Sequence, residues 1–310
     1  MGLSKKNKHP ILSNDFVPYL NNDIGQLFSV EAALDSVIPW INYVCPLKNQ
    51  KILIFGTGGG GTAVACALNI NDGIIYGVDI SKWAIETTTK RAKKYDVLKK
   101  MQLYHLTSTY PLPFKDNFFD IAIVADVIEH IVDERSKYVK NIFNKLKKEG
   151  LLIITGTPNL LYPKDIHTTG LYFIPWLPKK MAYKYAIYRG KWEKGKNLDY
   201  AGRRGITYWH LLKWLKGFNY QIINKKRCFS SNYLKNHNRI NTRKRKYLFP
   251  FYLFLEIFLS KIFNVPIVAF LPYINHLFIK KNNIIGTGSV VLSDIEVSGT
   301  YFGNPIKIEN

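Results

Sequence analysis

The sequence predicts an α/β fold built on a mainly parallel sheet, and three observations lead to this prediction. Continuous apolar runs, typical of strands that are buried on both faces, recur through the first half of the chain. Amphipathic stretches of helical period separate these runs, as the crossovers between parallel strands require. The first apolar run leads straight into a glycine-rich loop, "ILIFGTGGGGTA" at 52–63, and a buried strand that ends in such a loop is typical of a site for a nucleotide-like ligand.

The elements are predicted in order along the chain. Mixed apolar and polar positions at 15–45 predict one or two leading helices. Apolar runs predict strands at 51–55, 74–79, 102–106, 119–125 and 151–155, with a further strand at 219–226 and a short one at 275–280. Helical periodicity predicts helices at 62–70, 82–94, 133–147 and 207–217.

Composition and charge narrow the class of protein and its partners. The chain has 310 residues, 47% of them hydrophobic, and a formal net charge of +22, which predicts an anionic partner such as nucleic acid, an acidic membrane or a phosphorylated substrate. A coding bias toward lysine and asparagine is the alternative. Three cysteines without metal or redox spacing indicate a reducing compartment, and no apolar segment follows the polar start of the chain, so we expect a cytoplasmic protein.

The glycines of this loop can be explained on physical grounds. Gly56 ends a strand and permits a tight turn, while Gly58 and Gly60 lack the Cβ atoms that would keep a ligand away from the backbone. The same loop satisfies the G-x-G-x-x-G pattern of dinucleotide sites, so it does not choose between adenosine-containing ligands. Asp79 ends the second strand, where a carboxylate can accept hydrogen bonds from ribose hydroxyls; alternatively it caps the helix that begins near Ser81.

Several motifs in a characteristic order resemble the class I S-adenosylmethionine-dependent methyltransferases, in particular their type 11-like members. The resemblance covers roughly residues 45 to 225. Its motifs are "ILIFGTGGG" in the first loop, "GVDIS" at 77–81, "LPFKDNFFD" before the fourth strand, "DVIEHI" at 126–131 and "ITYWHLLKWLKGFNYQI" at 206–222. The resemblance implies a Rossmann-like class I methyltransferase sheet with helices on both faces, a helical and aromatic lid insertion, and an apolar C-terminal excursion.

The resemblance also implies the cofactor, S-adenosyl-L-methionine, and the residues that hold it. These are Gly56, Gly58, Gly60, Asp79, Ile80, Ser108 and Asp126. In this family the glycine backbone passes the amino-acid part of the cofactor, the acid after the second strand holds the ribose, and the position of Asp126 lines the methionine side. Two positions depart from the family pattern, because Ile54 and Ser108 stand where many members have an acidic residue.

Methyl transfer from a sulfonium needs alignment of three atoms and the exclusion of water, and a hydroxyl acceptor gains from a nearby base. The resemblance places Glu129 and His130 where the cofactor meets the acceptor. His130 is the first candidate base, because imidazole titrates near neutral pH; its alternative role is to fix the cofactor loop. His167, on the segment after the fifth strand, is the second candidate base. No metal is expected at this site.

The segment 161–205 is predicted to form a lid over the acceptor. It is rich in aromatic and basic side chains, which stack on sugars or bases and pair with phosphates. A glycan on a phosphate or diphosphate fits this mixture, and so does RNA. An ordinary helical subdomain with an aromatic core is the alternative for most of these aromatic residues.

A basic cluster followed by an apolar stretch predicts contact with an anionic membrane. Residues 225–246 hold nine lysines or arginines and no acid, and an apolar run continues to 274. Charges and prolines interrupt that run, which favours an interfacial or re-entrant element over a spanning helix; a buried helical excursion is the alternative. The strand "INHLFIKK" at 274–281 should then close the sheet in antiparallel fashion, as in the family.

The tail "IIGTGSVVLSDIEVSGTYFGNPIKI" at 284–308 resembles the end of a hexapeptide-repeat acyltransferase. Hardly more than one coil is present, and a single coil cannot bury its apolar face without neighbours.

The predicted organisation is a helical segment (1–48), a cofactor-binding core (49–160), the lid (161–205), the C-terminal part of the fold with its basic and apolar insertion (206–281), and this tail (282–310).

The function expected from these observations is O-methylation of a sugar in a cell-surface polysaccharide or lipid-linked glycan precursor, by an enzyme that is cytoplasmic or peripheral at the inner face of the membrane. Methylation of a quinone or small lipid is the rival within the enzyme class, and RNA methylation a weaker one, since nucleic acid is not the expected partner. A non-catalytic, membrane-associated binding protein is the alternative from another class.

Overall fold

The computed structural model describes residues 30–223, 254, 258, 262, 265, 267–281, 284–285, 300–302 and 307–309. The chain divides into two compact units, Met1–Thr107 and Ser108–Asn310.

The first unit alternates helices and strands. Its elements are α1 (Val30–Val44), β1 (Lys51–Phe55), α2 (Gly61–Asn69), β2 (Ile74–Asp79), α3 (Lys82–Lys94) and β3 (Met101–His105). The strands are parallel in the order β3–β2–β1. Because the chain returns to the same edge after each helix, the ends of β1 and β2 meet there, with Phe55 level with Val78.

Burial explains why these segments form strands. Residues 52–55 and 75–78 are buried, so their apolar side chains are removed from water on both faces of the sheet. The helix α2 packs by its small residues, Ala63, Ala65 and Ala67, all of which are fully buried. A small-residue helix can approach a neighbouring element closely, and this positions the glycine loop that precedes it.

The second unit holds the remaining strands of the fold. Its main elements are β4 (Phe119–Ala125), α4 (Arg135–Lys145), β5 (Leu146–Pro158), α5 (Lys179–Tyr188), α6 (Tyr208–Trp214), β6 (Tyr220–Ile222) and β7 (Tyr273–Lys280). The strands lie in the order β4–β5–β7–β6. β5 is parallel to β4, and β7 is antiparallel to both β5 and β6.

A buried cation fixes the end of β7. Lys280 donates hydrogen bonds to the side-chain oxygen of Asn117 and to the carbonyl oxygens of Asn144 and Leu146, at 2.8–3.2 Å. These acceptors lie before β4, at the end of α4 and at the start of β5, so one ammonium group links β7 to three segments. Burial lowers the pKa of Lys280.

The segment between β5 and α6 has a small core of its own. This core consists of Leu171, Ile174, Ala182, Ala186 and Leu198. Tyr185 and Trp192 pack against it, as the core alternative predicted, whereas Tyr172, Phe173 and Trp176 are exposed.

Most predicted elements match the structure within two residues, and the predicted α/β class is confirmed by seven strands, three in the first unit and four in the second. The antiparallel last strand is also confirmed. The prediction for β5 was too short, since the strand begins at Leu146 and takes over residues assigned to the preceding helix. That helix ends at Lys145, because residues 146–149 already extend along the sheet.

The described tail consists of three short strands, β8 (Ile284–Ile285), β9 (Thr300–Phe302) and β10 (Lys307–Glu309). β8 pairs with β9 in parallel, and β10 pairs with β9 in antiparallel fashion. The rest of the tail and most of the basic and apolar stretch lie outside the described residues, so the hexapeptide resemblance stays a prediction.

Candidate functional site

The glycine loop of the first unit has the backbone that its sequence predicted. Gly56, Gly58 and Gly60 have φ values of 78°, 50° and 82°, in the region that glycine adopts without strain. A Cβ on Gly60 would lie 2.7 Å from the hydroxyl of Thr88, so the close approach of α3 also requires glycine there. Gly60 caps α2, whose first amides therefore face the loop.

The carboxylate of Asp79 holds this loop in place. One carboxylate oxygen accepts a hydrogen bond from the backbone N–H of Gly58 at 2.9 Å, and the other accepts one from the N–H of Ser81 at 2.8 Å. The helix α3 is capped by Ser81 itself, whose hydroxyl accepts from the N–H of Ala84. Asp79 therefore links the glycine loop to the turn after β2, and each of its oxygens keeps a lone pair for a ribose hydroxyl.

The other predicted cofactor residues lie at turns. Ile80 is exposed directly after Asp79, which leaves its apolar side chain free to cover an adenine. Ser108 exchanges hydrogen bonds with the backbone of Tyr110. Asp126 has a φ of 54° and lies against Gly156, where a Cβ would come within 2.3 Å of its carboxylate. The roles of these three residues toward the cofactor stay predictions.

The second unit contains a buried carboxyl group directly after β4. Glu129 is fully buried. Its Oε2 accepts a hydrogen bond of 2.9 Å from the hydroxyl of Thr157, at the end of β5. Its Oε1 is buried and has no hydrogen-bond partner among the described residues. This oxygen lies 3.9 Å from Nε2 of His167, which is beyond hydrogen-bond distance.

The structure brings the two predicted bases together around this carboxyl group. The rings of His130 and His167 lie 5.3 Å apart between centroids. Nδ1 of His130 is 2.8 Å from the carbonyl oxygen of Tyr200, which can only accept, so Nδ1 carries the proton. In the neutral ring, Nε2 of His130 then presents a free lone pair.

The segment 199–205 packs against the cluster formed by Glu129, His130 and His167. Gly202 has a φ of 88°, and a Cβ there would lie 2.9 Å from both Glu129 and His167. The guanidinium of Arg135 donates to the carbonyl oxygens of Glu129, Arg204 and Gly205. These contacts fix the segment on the turn that carries the cluster.

Burial shifts the pKa values of two members of the cluster in opposite directions. Loss of water raises the pKa of Glu129 to about 7, against the opposing effects of its hydrogen bonds and of Arg135. Loss of water, together with the nearby His130, lowers the pKa of His167 to about 4. His167 is therefore neutral at physiological pH, and a neutral imidazole can accept a proton or bind a cation.

Each member of the cluster offers one ligand atom, and these atoms all lie within 4.8 Å of one another. The cluster can thus move a proton or hold a cation. The sequence predicted His130 and His167 as site residues but not Thr157 or Gly202. A threonine at the end of a strand and a glycine in an irregular segment are too common to mark a site.

Comparison with known proteins relates part of this chain to methyltransferases. Residues 53–154 match a family model described as a methyltransferase domain. A ubiquinone biosynthesis O-methyltransferase of Pelagibacter ubique is 29% identical over 185 residues, which cover 57% of this chain and 68% of that protein. The enzyme of the same name from Rickettsia typhi is 28% identical over 42% of this chain and 51% of its own length.

A solved structure of a SAM-dependent methyltransferase from Aquifex aeolicus is 17% identical and covers 53% of this chain and 85% of its own, with a TM-score of 0.40.

Substitution of Asp79 by alanine should weaken cofactor binding. The change removes the acceptor of two backbone amides and the carboxylate that is predicted to hold the ribose, and hydrogen bonds to a charged group are worth about 1.5–3 kcal/mol each. We expect at least a ten-fold rise in the Kd for S-adenosylmethionine and S-adenosylhomocysteine by calorimetry. Glu86→Ala, which removes an exposed carboxylate on α3, is the matched control. Equal affinity in Asp79→Ala and the control would contradict the assignment.

Substitution of Glu129 by glutamine should change how stability depends on pH. The pKa of about 7 in the folded protein lies above the ordinary glutamate pKa of 4.5, so the stability that the protonated form contributes is lost as pH rises between these values. Relative to Glu129→Gln, the free energy of unfolding of the wild type should fall by on the order of 3 kcal/mol from pH 4 to pH 8. Denaturant unfolding with a chelator present measures this difference.

The control for this measurement is Glu193→Gln, which changes an exposed carboxylate of the same unit. Its unfolding free energy should follow that of the wild type at every pH. Parallel curves for the wild type and Glu129→Gln would show that the carboxyl at 129 titrates like an exposed one.

Proposed function

We propose that this S-adenosyl-L-methionine-dependent methyltransferase transfers its methyl group to a phenolic hydroxyl of a lipid-soluble quinone precursor. The single observation that carries the choice of a hydroxyl is the free lone pair on Nε2 of His130, beside a buried carboxyl group. The choice of a quinone precursor is supported by the names of the relatives, ubiquinone biosynthesis O-methyltransferases.

The proposed reaction is a direct displacement. The acceptor oxygen forms a bond to the methyl carbon, the carbon–sulfur bond breaks, and its electron pair stays on sulfur as a thioether. The hydroxyl proton passes to Nε2 of His130. Since Nδ1 already donates to the carbonyl of Tyr200, the ring is held in the orientation and tautomer that accept this proton.

The acidity of the acceptor favours a phenol over a sugar. A phenolic hydroxyl has a pKa near 10, as tyrosine does, so its proton can move to an imidazole in the course of reaction. A sugar hydroxyl is a much weaker acid, so the transfer of its proton to the same imidazole is less favourable. The exposed aromatic rings of Tyr172, Phe173 and Trp176 offer apolar surface for a lipid-soluble molecule.

A phosphate-bearing glycan is the second candidate, and one observation favours it. An open pocket of about 330 Å³ on the lid is lined by Lys179, Lys180 and Lys196 together with Tyr183. Lysine side chains pair with phosphates, and a tyrosine ring can stack on a sugar. The exposed basic character of this lid suits a diphosphate-linked acceptor.

Peripheral contact with an anionic membrane is part of the proposal. Phe254, Phe258 and Ile262 are exposed and follow one another at a spacing of four, and the first two rings stack at 6.2 Å. Apolar side chains at this spacing, after a basic cluster in the sequence, fit the interface of a bilayer. Within the described residues, no helix has the length and apolar content needed to cross a membrane.

The acceptor class can be tested by incubating the protein and S-adenosylmethionine with two sets of acceptors. The first contains polyprenylated dihydroxyphenols, and the second contains polyprenyl-diphosphate glycans. Mass spectrometry then detects the methylated product. Methylation of the phenols alone supports the proposal, methylation of the glycans alone supports the second candidate, and turnover of neither, with cofactor binding intact, overturns both.

Replacing His130 should lower turnover far more than cofactor affinity. We expect His130→Ala to lower kcat by about 10²–10⁴-fold, the usual contribution of a general base, with the Kd for S-adenosylmethionine within about two-fold of the wild type. His9→Ala, which removes an imidazole that has no proposed role, is the control. Normal kcat and an unchanged pH profile in His130→Ala would return His130 to a structural role.

Removing the basic cluster should remove the salt-sensitive part of membrane binding. Each lysine or arginine near an anionic surface contributes about 1 kcal/mol, and charges farther than about 8 Å are screened at physiological salt. Replacement of Arg243, Lys244, Arg245 and Lys246 by glutamine should therefore weaken sedimentation with phosphatidylglycerol vesicles at low salt and leave a weaker, salt-insensitive binding.

The control removes the same charge from exposed lysines of the first unit, Lys82, Lys90, Lys93 and Lys99. If this control weakens vesicle binding equally, net charge alone explains it. If the wild type ignores vesicles at low salt, the membrane proposal is wrong.

A further inference from the structure

We propose that Glu129, His130 and His167 form a binding site for a divalent transition-metal ion, and that Zn²⁺ is the ion its donors fit best. One carboxylate and two imidazoles make up the donor set. Zinc sites that take part in chemistry commonly have three such protein ligands and one open position.

The distances between the donor atoms suit a single ion. Oε1 of Glu129 and Nε2 of His167 are 3.9 Å apart, and no two of the three ligand atoms are more than 4.8 Å apart. Ligands bound at about 2.0–2.2 Å around one zinc lie on the order of 3–4 Å from each other. The upper limit of 4.8 Å is somewhat above this range, so the ligands have to move slightly closer together when an ion binds.

The unfilled oxygen of Glu129 is an independent sign of a missing ligand. A buried carboxylate oxygen without a hydrogen bond is costly, and Oε1 has no such partner among the described residues. It faces the imidazole of His167 at a distance too long for a hydrogen bond and right for two atoms that share a cation. A bound cation would satisfy this oxygen.

The groups behind the ligands are arranged as metal sites require. The hydroxyl of Thr157 donates to the second oxygen of Glu129, which orients the carboxylate. The carbonyl of Tyr200 accepts from Nδ1 of His130, which leaves Nε2 as the nitrogen that can bind an ion. Partners of this kind fix the orientation and tautomer of ligands in known metal sites.

The chemistry of the donors selects the ion. Imidazole nitrogens suit zinc and other first-row transition metals, whereas Mg²⁺ and Ca²⁺ prefer oxygen ligands. We therefore expect Zn²⁺ to bind and Mg²⁺ to compete poorly.

The metal site does not rest on the proposed acceptor, because the ligands are all protein atoms. With a metal bound, the lone pair of Nε2 of His130 is occupied. A hydroxyl at the open position of the ion would then lose its proton more readily, as metal-bound water does, so that the ion takes over the task assigned to the free imidazole.

The test measures zinc binding in the absence of S-adenosylmethionine and acceptor. The full chain, stripped with a chelator and dialysed, is titrated with Zn²⁺ by calorimetry and, separately, with Co²⁺ while its visible absorption is recorded. We expect about one ion per chain. Glu129→Gln and His167→Ala should each weaken Zn²⁺ binding at least ten-fold and reduce the Co²⁺ absorption.

His9→Ala is the control for zinc held by imidazoles outside the cluster, and it should bind Zn²⁺ as the wild type does. Circular dichroism and calorimetric binding of S-adenosylhomocysteine show whether each variant is folded. Because glutamine has the shape of glutamate, Glu129→Gln keeps the test decisive if His167→Ala does not fold. No zinc binding by the wild type, or equal affinity in wild type and Glu129→Gln, would overturn the proposal, whatever the acceptor assays show.

Discussion

The burial of the Glu129 carboxyl group is the constraint around which the second unit is organised. A carboxyl group without water must be protonated, hydrogen-bonded or paired with a cation, and only one of its oxygens is satisfied by a described residue. Its surroundings come from separate parts of the chain: Thr157 at the end of β5, His167 beyond it, and Gly202 in the segment that covers them. Burying a carboxyl group with one unbonded oxygen lowers stability, and ionisable groups with shifted pKa values cluster at functional sites, which is why we propose a function for it.

Asp79, the acid that holds the glycine loop, is in the opposite situation to Glu129. Asp79 is partly exposed, and both of its oxygens accept hydrogen bonds from backbone amides. These bonds organise the loop before any ligand arrives, so less conformational entropy is lost on binding. In the proposed function the first unit presents this preorganised loop to the adenosine of the cofactor, while Glu129 in the second unit leaves an interaction to be completed.

The sequence predicted the parts of the molecule that depend on local pattern. Apolar runs at 51–55 and 74–79 became strands with the predicted bounds, because burial on both faces leaves a continuous hydrophobic signal. The surroundings of His130 could not be predicted in this way, since its partner Tyr200 is 70 positions away and takes part through its backbone carbonyl. A carbonyl oxygen is present in every residue, so no residue type marks it.

The same reasoning explains why the acceptor is harder to identify than the cofactor. A sulfonium methyl is already activated, so the cofactor requires little beyond a shaped loop and an acid, and both leave a sequence signal. Under the proposed function, the acceptor depends on how readily its hydroxyl loses a proton next to His130 and His167. A free imidazole is sufficient for a phenol, whereas a weaker acid such as a sugar hydroxyl would need the stronger polarisation that a cation bound to Glu129 would supply. Whether this cluster holds a cation therefore bears on the choice between the two proposed acceptor classes as directly as the shape of the predicted lid does.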